Sequence, residues 1–172
     1  MTITNSSHYE AIVRSSPPCG RFEEGIIAAG QTPYPGTVMQ FTNAPEIQGR
    51  KTWTAYAPGA SGDRPLSGIA VLLPDWLIGQ TCETAYVAGA RCQLYFPKPG
   101  EELNMLIDAS VTDTGTGTVS LLVTQMLSIE NNTGILILTT NVSAPFELMD
   151  EVDYPPPGSN PNTLARCKYN GY

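Results

Sequence analysis

The spacing of proline constrains this chain more than any other feature of its sequence. Prolines stand at positions 17, 18, 33, 35, 45, 58, 65, 74, 97 and 99, and the next one follows only at 145. A proline inside a helix removes a backbone hydrogen bond and clashes with the preceding turn. Long helices are therefore not expected in the first hundred residues, and only the window 100–144 could hold one.

That window has the composition of strands. It is rich in threonine, valine and isoleucine, and it contains glycine at 115, 117 and 134. The runs TVSLLVTQMLSI and ILILTT, separated by ENNTG, predict a hairpin with a five-residue turn. A helix over residues 120–129 is the alternative interpretation.

Elsewhere, short apolar runs alternate with turns rich in glycine and proline. The runs TVMQFT, KTWTAYA and ETAYV carry the aromatic and β-branched residues typical of strands. In KTWTAYA, Trp53 and Ala55 fall on one face of the strand, and Thr52, Thr54 and Tyr56 on the other. IAVLL, PFELMDEV and TLARCKYNGY are also interpreted as strands. We predict an all-β fold with a small β-barrel or β-sandwich-like body and a long Pro-rich loop, DYPPPGSNPN, near the C-terminus; no internal repeat is evident.

The chain divides into an extended N-terminal arm, residues 1–22, and a β-rich domain, residues 23–172. The arm is polar and ends in SSPPCGRF, whose adjacent prolines favour an extended chain. It is either a free tail or an arm that becomes ordered on a partner through Ile3, Tyr9, Ile12 and Val13. No secretory signal or membrane-spanning run is recognised, so we expect synthesis in a cytoplasm and no membrane partner.

Charge argues against nucleic acid as a partner. The net charge is −7, and the nine lysines and arginines are scattered from Arg14 to Lys168 without a cluster. Binding to phosphates needs a concentrated basic patch. Charged residues make up only 15% of the chain, which suggests that much of its surface contacts protein.

The stretch GIIAAGQT, residues 25–32, resembles a phosphate-binding loop in which Gln31 replaces the lysine. Pro33 and Pro35 follow at once and exclude the helix whose N-terminus would bind the phosphate. The preceding RFEE is acidic and would repel phosphate. We predict a strand that ends at Gly30, then turns, then a strand over TVMQF, with no nucleotide.

No catalytic site, cofactor or metal is predicted from the remaining reactive residues. Cysteines stand at 19, 82, 92 and 167 without a C-x-x-C pair, and His8 is the only histidine. If CETAYVAGARCQLYF is a hairpin that turns at Ala88 and Gly89, Cys82 lies opposite Tyr95. Cys82 and Cys92 are then about 10 Å apart, too far for a disulfide, so buried free thiols are expected.

Neighbouring carboxylates are the remaining candidates for chemistry. Such pairs more often face solvent than form an acid–base pair across a cleft. They occur at Glu23 and Glu24, at Glu101 and Glu102, and at Asp150, Glu151 and Asp153. A calcium site built from Asp108 and Asp113, or from Asp150 and Asp153, remains open, although the regular calcium loop is absent.

Aromatic residues offer either a sugar-binding platform or core packing, and core packing is the commoner role. The residues concerned are Trp53, Trp76, Tyr86, Tyr95 and Phe96. Trp76 adjoins a turn and is expected to be the most exposed of them.

The order of the strand and turn signatures carries a family resemblance. A glycine-bounded strand and turn at 25–30 precedes a glycine and apolar run at 68–72, a V-x-G turn at 87–89, the segment KPGEELNML at 98–106 and the late strand ARCKYNGY. This order resembles the head decoration, or capsid cement, proteins of tailed bacteriophages, taken broadly as the lambda-type family. The resemblance spans roughly residues 22–172; SVTDTGTGTVSLLVTQMLSIENN and the Pro-rich loop are additions to its shortest form.

The resemblance implies a structural virion protein and not an enzyme. Members bind the outer surface of the assembled phage head, commonly as homotrimers, and staple neighbouring major capsid subunits together. Their N-terminal arms often add to the capsid by strand pairing, which assigns that role here to Ile3, Tyr9, Ile12 and Val13. The alternative is another virion β-module, such as a tail component or a carbohydrate-binding surface domain.

Overall fold

Eleven β-strands make up the regular structure of the part of the chain that the computed structural model describes, residues 18–57, 69–75, 84–112, 115–116, 124–130, 132–150 and 162–171. These residues contain no helix, and the predicted all-β fold is confirmed. The strands are β1 (Arg21–Ile27), β2 (Val38–Phe41), β3 (Thr52–Ala55), β4 (Ala70–Leu73), β5 (Arg91–Phe96), β6 (Glu102–Thr112), β7 (Gly115–Thr116), β8 (Met126–Ile129), β9 (Leu136–Leu138), β10 (Phe146–Leu148) and β11 (Asn162–Tyr169). No helix of the described residues is long and apolar enough to cross a membrane.

The first five strands close into a barrel in the order β1-β3-β2-β4-β5. β1 runs parallel to β3, and every other neighbouring pair, including β5 with β1, is antiparallel. Trp53, Leu72, Cys92 and Leu94 contribute to the apolar cluster of this barrel. Closure pairs both edges of each strand, so the sheet ends in no open edge.

β4 explains why the run IAVLL is continuously apolar. Ala70 and Leu72 belong to the cluster of the first barrel, whereas Val71 and Leu73 belong to a second cluster shared with the rest of the chain. All four residues are buried. A strand that is covered on both faces has no polar side, so its sequence cannot alternate.

The later strands form a six-stranded sheet in the order β11-β10-β8-β9-β6-β7, and an additional pairing joins β11 to β6. That pairing extends from Asn162 to Lys168 on β11. Five of these strands, β6, β9, β8, β10 and β11, therefore each have two neighbours within this set and form a second ring. β7 pairs only with the far end of β6.

The second ring repeats the topology of the first. β6 runs parallel to β9, and the pairs β9–β8, β8–β10, β10–β11 and β11–β6 are antiparallel. The strands correspond in chain order: β1 to β6, β2 to β8, β3 to β9, β4 to β10 and β5 to β11. With this correspondence the two rings have the same strand order and the same strand directions. The expectation of a chain without an internal repeat is therefore wrong at the level of topology.

Short sequence traces mark the same repeat. Adjacent glutamates lie on or beside the first strand of each ring, at Glu23 and Glu24 and at Glu101 and Glu102. The triplet Ala-Arg-Cys occurs at 90–92 and again at 165–167, at β5 and on β11, the last strand of each ring. Both cysteines are fully buried.

A diagonal ion pair occupies the same place in both rings. Arg91 lies opposite Ile26 and pairs with Glu24, two residues earlier on β1. Arg166 on β11 pairs in the same diagonal way with Glu102 on β6, at 3.7 Å. The two units thus share a local register as well as an order of strands.

The two rings pack into one continuous apolar core. Val38, Val71 and Tyr95 on the outside of the first barrel contact a cluster that includes Met105 and Phe146 of the second unit. Backbone hydrogen bonds also join the units, because Leu106 N donates to Gly36 O at 3.1 Å and Val38 N donates to Gly134 O at 2.8 Å. The structure is therefore a fused pair of units.

The hairpin predicted in the proline-free window is confirmed. β8 and β9 are antiparallel, with Ser128 opposite Ile137, and residues 130–135 connect them. Glu130 N donates to Ile135 O across the turn. Residues 126–129 are strand, so the alternative helix is excluded there; residues 120–123 lie outside the described part.

The hairpin considered for CETAYVAGARCQLYF is not formed by the described residues. A turn exists at Ala88 and Gly89, but residues 84–87 form no strand, and β5 pairs with β1 and β4 instead. Tyr86 is used differently, since its N–H donates to Pro33 O at 2.8 Å and its hydroxyl to Leu73 O at 2.7 Å. The predicted order of strand, turns and strand holds for GIIAAGQT and the residues after it, although β1 ends at Ile27 and not at Gly30.

Candidate functional site at the base of the N-terminal arm

A buried carboxylate receives the base of the N-terminal arm. Glu101 lies between β5 and β6, where the chain passes from the first barrel to the second unit, and is only 5% exposed. Its Oε1 accepts the backbone N–H of Cys19 at 2.6 Å and the Tyr95 hydroxyl at 2.6 Å. Its Oε2 accepts the Lys98 N–H at 2.6 Å.

Tyr95 extends this arrangement to the next residue of the arm. While its hydroxyl donates to Glu101, its oxygen accepts the Gly20 N–H at 2.7 Å. A Cβ at Gly20 would lie 2.6 Å from that oxygen, closer than real Cβ contacts, so only glycine fits. We call Cys19, Gly20, Tyr95 and Glu101 the arm anchor.

The electrostatics of the arm anchor favour an ionised carboxylate. Burial alone would raise the pKa of Glu101, but hydrogen bonds from Tyr95 and from the N–H groups of Lys98, Cys19 and Gly20 outweigh burial and lower it. Burial and the hydrogen bond to Glu101 raise the pKa of Tyr95 to about 12. At neutral pH the carboxylate of Glu101 is therefore negatively charged, and neutral hydrogen-bond donors stabilise that charge.

The geometry suits positioning better than catalysis. Each oxygen of Glu101 already accepts at least one hydrogen bond from the protein, which leaves a general base little capacity for a substrate proton. The anchor instead fixes residues 19 and 20 where the two units meet.

The sequence missed the arm anchor because adjacent glutamates were expected to face solvent. That expectation is wrong for Glu101. A signal was present: Leu103, Met105 and Ile107 are buried at alternate positions of β6, and Glu101 has the same parity. Its side chain therefore continues the inward-facing row.

The candidate capsid-binding residues Ile3, Tyr9, Ile12 and Val13 lie outside the described residues. So do Asp113 and Asp153, one member of each calcium pair, and Trp76. Among the described residues, no group of three or more His, Cys, Asp or Glu could hold a metal ion.

A second surface combines aromatic rings with cations at one end of the first barrel. Phe41, 40% exposed, meets Trp53 edge-on at 6.1 Å between ring centroids, and Trp53 meets Phe96 in the same way at 5.7 Å. Lys51 lies 5.6 Å from the centroid of Phe41, and Arg21 lies 4.4 Å from that of Phe96. We call these five residues the basic aromatic face; Trp53 itself is buried and connects the two rings, and the accessible part consists of the other four.

Core packing accounts for the described aromatic candidates other than the half-buried Phe96. Trp53, Tyr86 and Tyr95 are 3%, 1% and 0% exposed, so they form no open platform. Phe22, beside the arm anchor, differs: it is 56% exposed and packs against Tyr95 in a tilted arrangement, with 4.8 Å between ring centroids.

Ion pairs line an open cavity of about 410 Å³ that includes Lys51 of the basic aromatic face. Lys51 lies 3.7 Å from Glu23, and Arg50 lies 2.9 Å from Glu24, which also contacts Arg91. The hydrogen bond from Arg50 lowers the pKa of Glu24. The remaining lining residues are Glu46, Gln48 and Gly49.

Three of the four cysteines are described, and each is a free thiol. Cys19 is exposed, whereas Cys92 and Cys167 are buried. Burial raises the pKa of the Cys92 thiol to about 12 and raises that of Cys167 as well. Cys82 lies outside the described residues.

The described structure defines an all-β protein of two fused units with the same strand order, with the base of an N-terminal arm anchored at their junction. No known protein family matches the chain, and no curated protein is similar to it.

Proposed function

We propose that this protein is a structural virion protein that binds the outer surface of an assembled bacteriophage head. It staples neighbouring major capsid subunits and thereby stabilises the shell. The family resemblance of the sequence supports this proposal, and the arm anchor is the structural observation that carries it. A staple needs a binding element that is firmly tied to a folded body.

The arm supplies the binding element. Residues near Tyr9, Ile12 and Val13, together with Ile3, add to the capsid surface by strand pairing. Because Glu101 and Tyr95 hold Cys19 and Gly20, tension on the arm reaches the core of the body without first unravelling β1. Many copies on one shell make a weak individual contact sufficient.

The body suits dense display on a surface. Unpaired strand edges promote association between neighbouring copies. Both rings are closed by pairing, which protects the edges of the described strands other than β7. The partners under this proposal are the major capsid protein and further copies of the chain as a homotrimer, on the outside of the virion, with no nucleic acid and no enzymatic activity.

The test measures head occupancy. Full-length protein, a variant lacking residues 1–15, and a full-length variant with Ile3, Tyr9, Ile12 and Val13 changed to serine are incubated with empty heads and sedimented. We expect the full-length protein to sediment with the heads and both variants to lose most of their occupancy while melting at an unchanged temperature. The serine variant separates side-chain recognition from arm length.

Two different results would contradict the two parts of the proposal. Full-length protein that ignores the heads overturns the decoration proposal, and unchanged occupancy of both variants overturns the role of the arm. Binding on a glycan array that depends on Trp76 would favour the alternative, a tail component or carbohydrate-binding surface domain.

A further inference from the structure

We propose that the basic aromatic face binds the acidic, proline-rich segment 150–161 of a second copy of this chain. The contact joins the first barrel of one copy to the second unit of another. It rests on the homotrimer of the proposed function and names the two surfaces that meet between copies; because it requires only the protein itself, it can fail or hold independently of binding to heads.

The second unit closes without an equivalent of two members of this face, the Phe96 ring and the Arg21 cation. Aligning the units on their Ala-Arg-Cys triplets places Gly171 where the first barrel has Phe96. Aligning them on their glutamate pairs places Pro99 where it has Arg21. Core burial and the diagonal ion pair occur in both units, whereas this ring and this cation occur only in the first.

Phe41 points to the same conclusion. It ends β2 and is 40% exposed, whereas Ile129, which ends the corresponding strand β8, is 8% exposed. An exposed aromatic ring with cations at the edge of its cluster is a common element of protein-binding surfaces. A function outside the fold is therefore the simplest reason for this ring.

The charge around the face is slightly positive on an acidic chain, because four cations, Arg21, Arg50, Lys51 and Arg91, face three carboxylates, Glu23, Glu24 and Glu46. Arg21 and Lys51 both pair with Glu23, at 3.3 and 3.7 Å, so the three groups together carry one excess positive charge. Arg50 and Arg91 similarly share Glu24. The whole chain carries a net charge of −7, so the rest of a second copy is an acidic partner.

One segment of the chain has the acidic and proline-rich composition that would bind the basic aromatic face. Residues 150–157 read DEVDYPPP: three acids, a tyrosine and three prolines. Proline-rich segments bind aromatic-lined surfaces at low entropic cost because their backbone is already extended. Asp150 pairs with Arg166 of its own unit at 2.9 Å, which leaves Glu151 and Asp153 for Lys51 and Arg21.

Chain length sets the reach of this contact. Residues 151–161 connect Asp150 to Asn162, and both ends attach to the second unit. Such a loop can project at most about 18 Å at roughly 3.3 Å per residue. It can therefore contact a copy that packs beside it. The contact uses different surfaces on the two copies, so it closes into a ring when the rotation allows, for example a trimer.

The experiment measures molar mass by size exclusion with light scattering over a range of protein concentrations. Four proteins are compared: wild type, the face variant Phe41→Ser/Lys51→Glu, the segment variant Glu151→Lys/Asp153→Lys, and the control Val142→Ser. Val142 is 85% exposed and lies on the second unit outside both surfaces. Circular dichroism and melting show whether each variant is folded.

We expect wild type and the control to associate, and each of the other two variants to need at least tenfold higher concentration. Mixing the face variant with the segment variant should restore one contact, because each retains the surface that the other lacks. Combining Lys51→Glu with Asp153→Lys should recover part of the association, since the reversed charges attract.

A second measurement separates contact between copies from contact within one copy. A peptide of residues 149–161 is titrated into the Trp76→Phe protein, in which Trp53 is the only tryptophan and its fluorescence is monitored. Saturable quenching that a scrambled peptide does not cause supports the proposal. A monomeric wild type at all concentrations, association that neither variant weakens, or absence of peptide binding would each overturn it.

Discussion

Glu101 accepts the backbone N–H of Cys19 at 2.6 Å, although the two residues are 82 positions apart in the chain. The bond joins the base of the arm to the point where the first barrel passes into the second unit. A glutamate beside a surface turn is ordinarily solvated, and its burial here requires several donors. Tyr95 and Lys98 complete that set.

Replacing Glu101 should destabilise the protein far more than replacing its neighbour. Glu101→Gln removes the charge and puts an amide N–H₂ where a donor now points, so we expect a loss of about 1.5–3 kcal/mol in the free energy of unfolding. Glu102→Gln is the matched control; its partly exposed carboxylate pairs at 3.7 Å, so its loss should be below about 1 kcal/mol. Urea unfolding measures both, and equal losses would contradict the anchor.

The stability that Glu101 supplies should depend on pH in one direction. The folded state lowers the pKa of this carboxyl from its ordinary 4.5, so its contribution is complete above that value. The contribution disappears as pH falls through the lowered pKa, because protonation then occurs in both states. The difference in unfolding free energy between wild type and Glu101→Gln should therefore be largest at neutral pH and shrink as the pH falls below 4.5; a difference that does not change with pH would contradict this assignment.

Burial predicts a clear order of thiol reactivity. Cys19 is exposed, whereas Cys92 and Cys167 are buried and have raised thiol pKa values. Iodoacetamide at pH 8 should modify Cys19 in the native protein and reach Cys92 and Cys167 only after unfolding. Peptide mapping by mass spectrometry at successive times measures this order. Modification of Cys92 as fast as Cys19 would show that the first barrel opens readily.

The local sequence pattern was sufficient to predict those strands that proline spacing and runs of β-branched residues define. The proline spacing excluded long helices, and the β-branched runs located the β8–β9 hairpin. ETAYV failed because Tyr86 gives its N–H and hydroxyl to the carbonyls of Pro33 and Leu73, which are distant in sequence. The strand propensity of a segment carries no information about hydrogen bonds to residues that are distant in sequence.

The repeat escaped the sequence for a related reason. Each unit needs apolar residues at alternate positions, and many different residues meet that need. Only two glutamate pairs and two Ala-Arg-Cys triplets remain in common, too short to stand out before the registers of β5 with β1 and β11 with β6 are known. The arm anchor was missed likewise, because the parity of Glu101 has meaning only once β6 is placed.

Gly25 should tolerate no side chain, because the Trp53 ring covers it. A Cβ at Gly25 would overlap the indole and lie 3.1 Å from Leu94 Cδ1. Overpacking of this kind costs about 1–3 kcal/mol. We expect Gly25→Ala to lower the free energy of unfolding by that amount, even though alanine restricts the unfolded chain more than glycine does.

A double-mutant cycle with Trp53→Leu identifies the cause. Without the ring, Gly25→Ala loses most of the clash, so its cost should fall below about 1 kcal/mol, and the two substitutions should be strongly non-additive. Urea unfolding of the four proteins gives the coupling energy. An equal penalty for Gly25→Ala in both backgrounds would assign it to the backbone of β1 and not to contact with the indole.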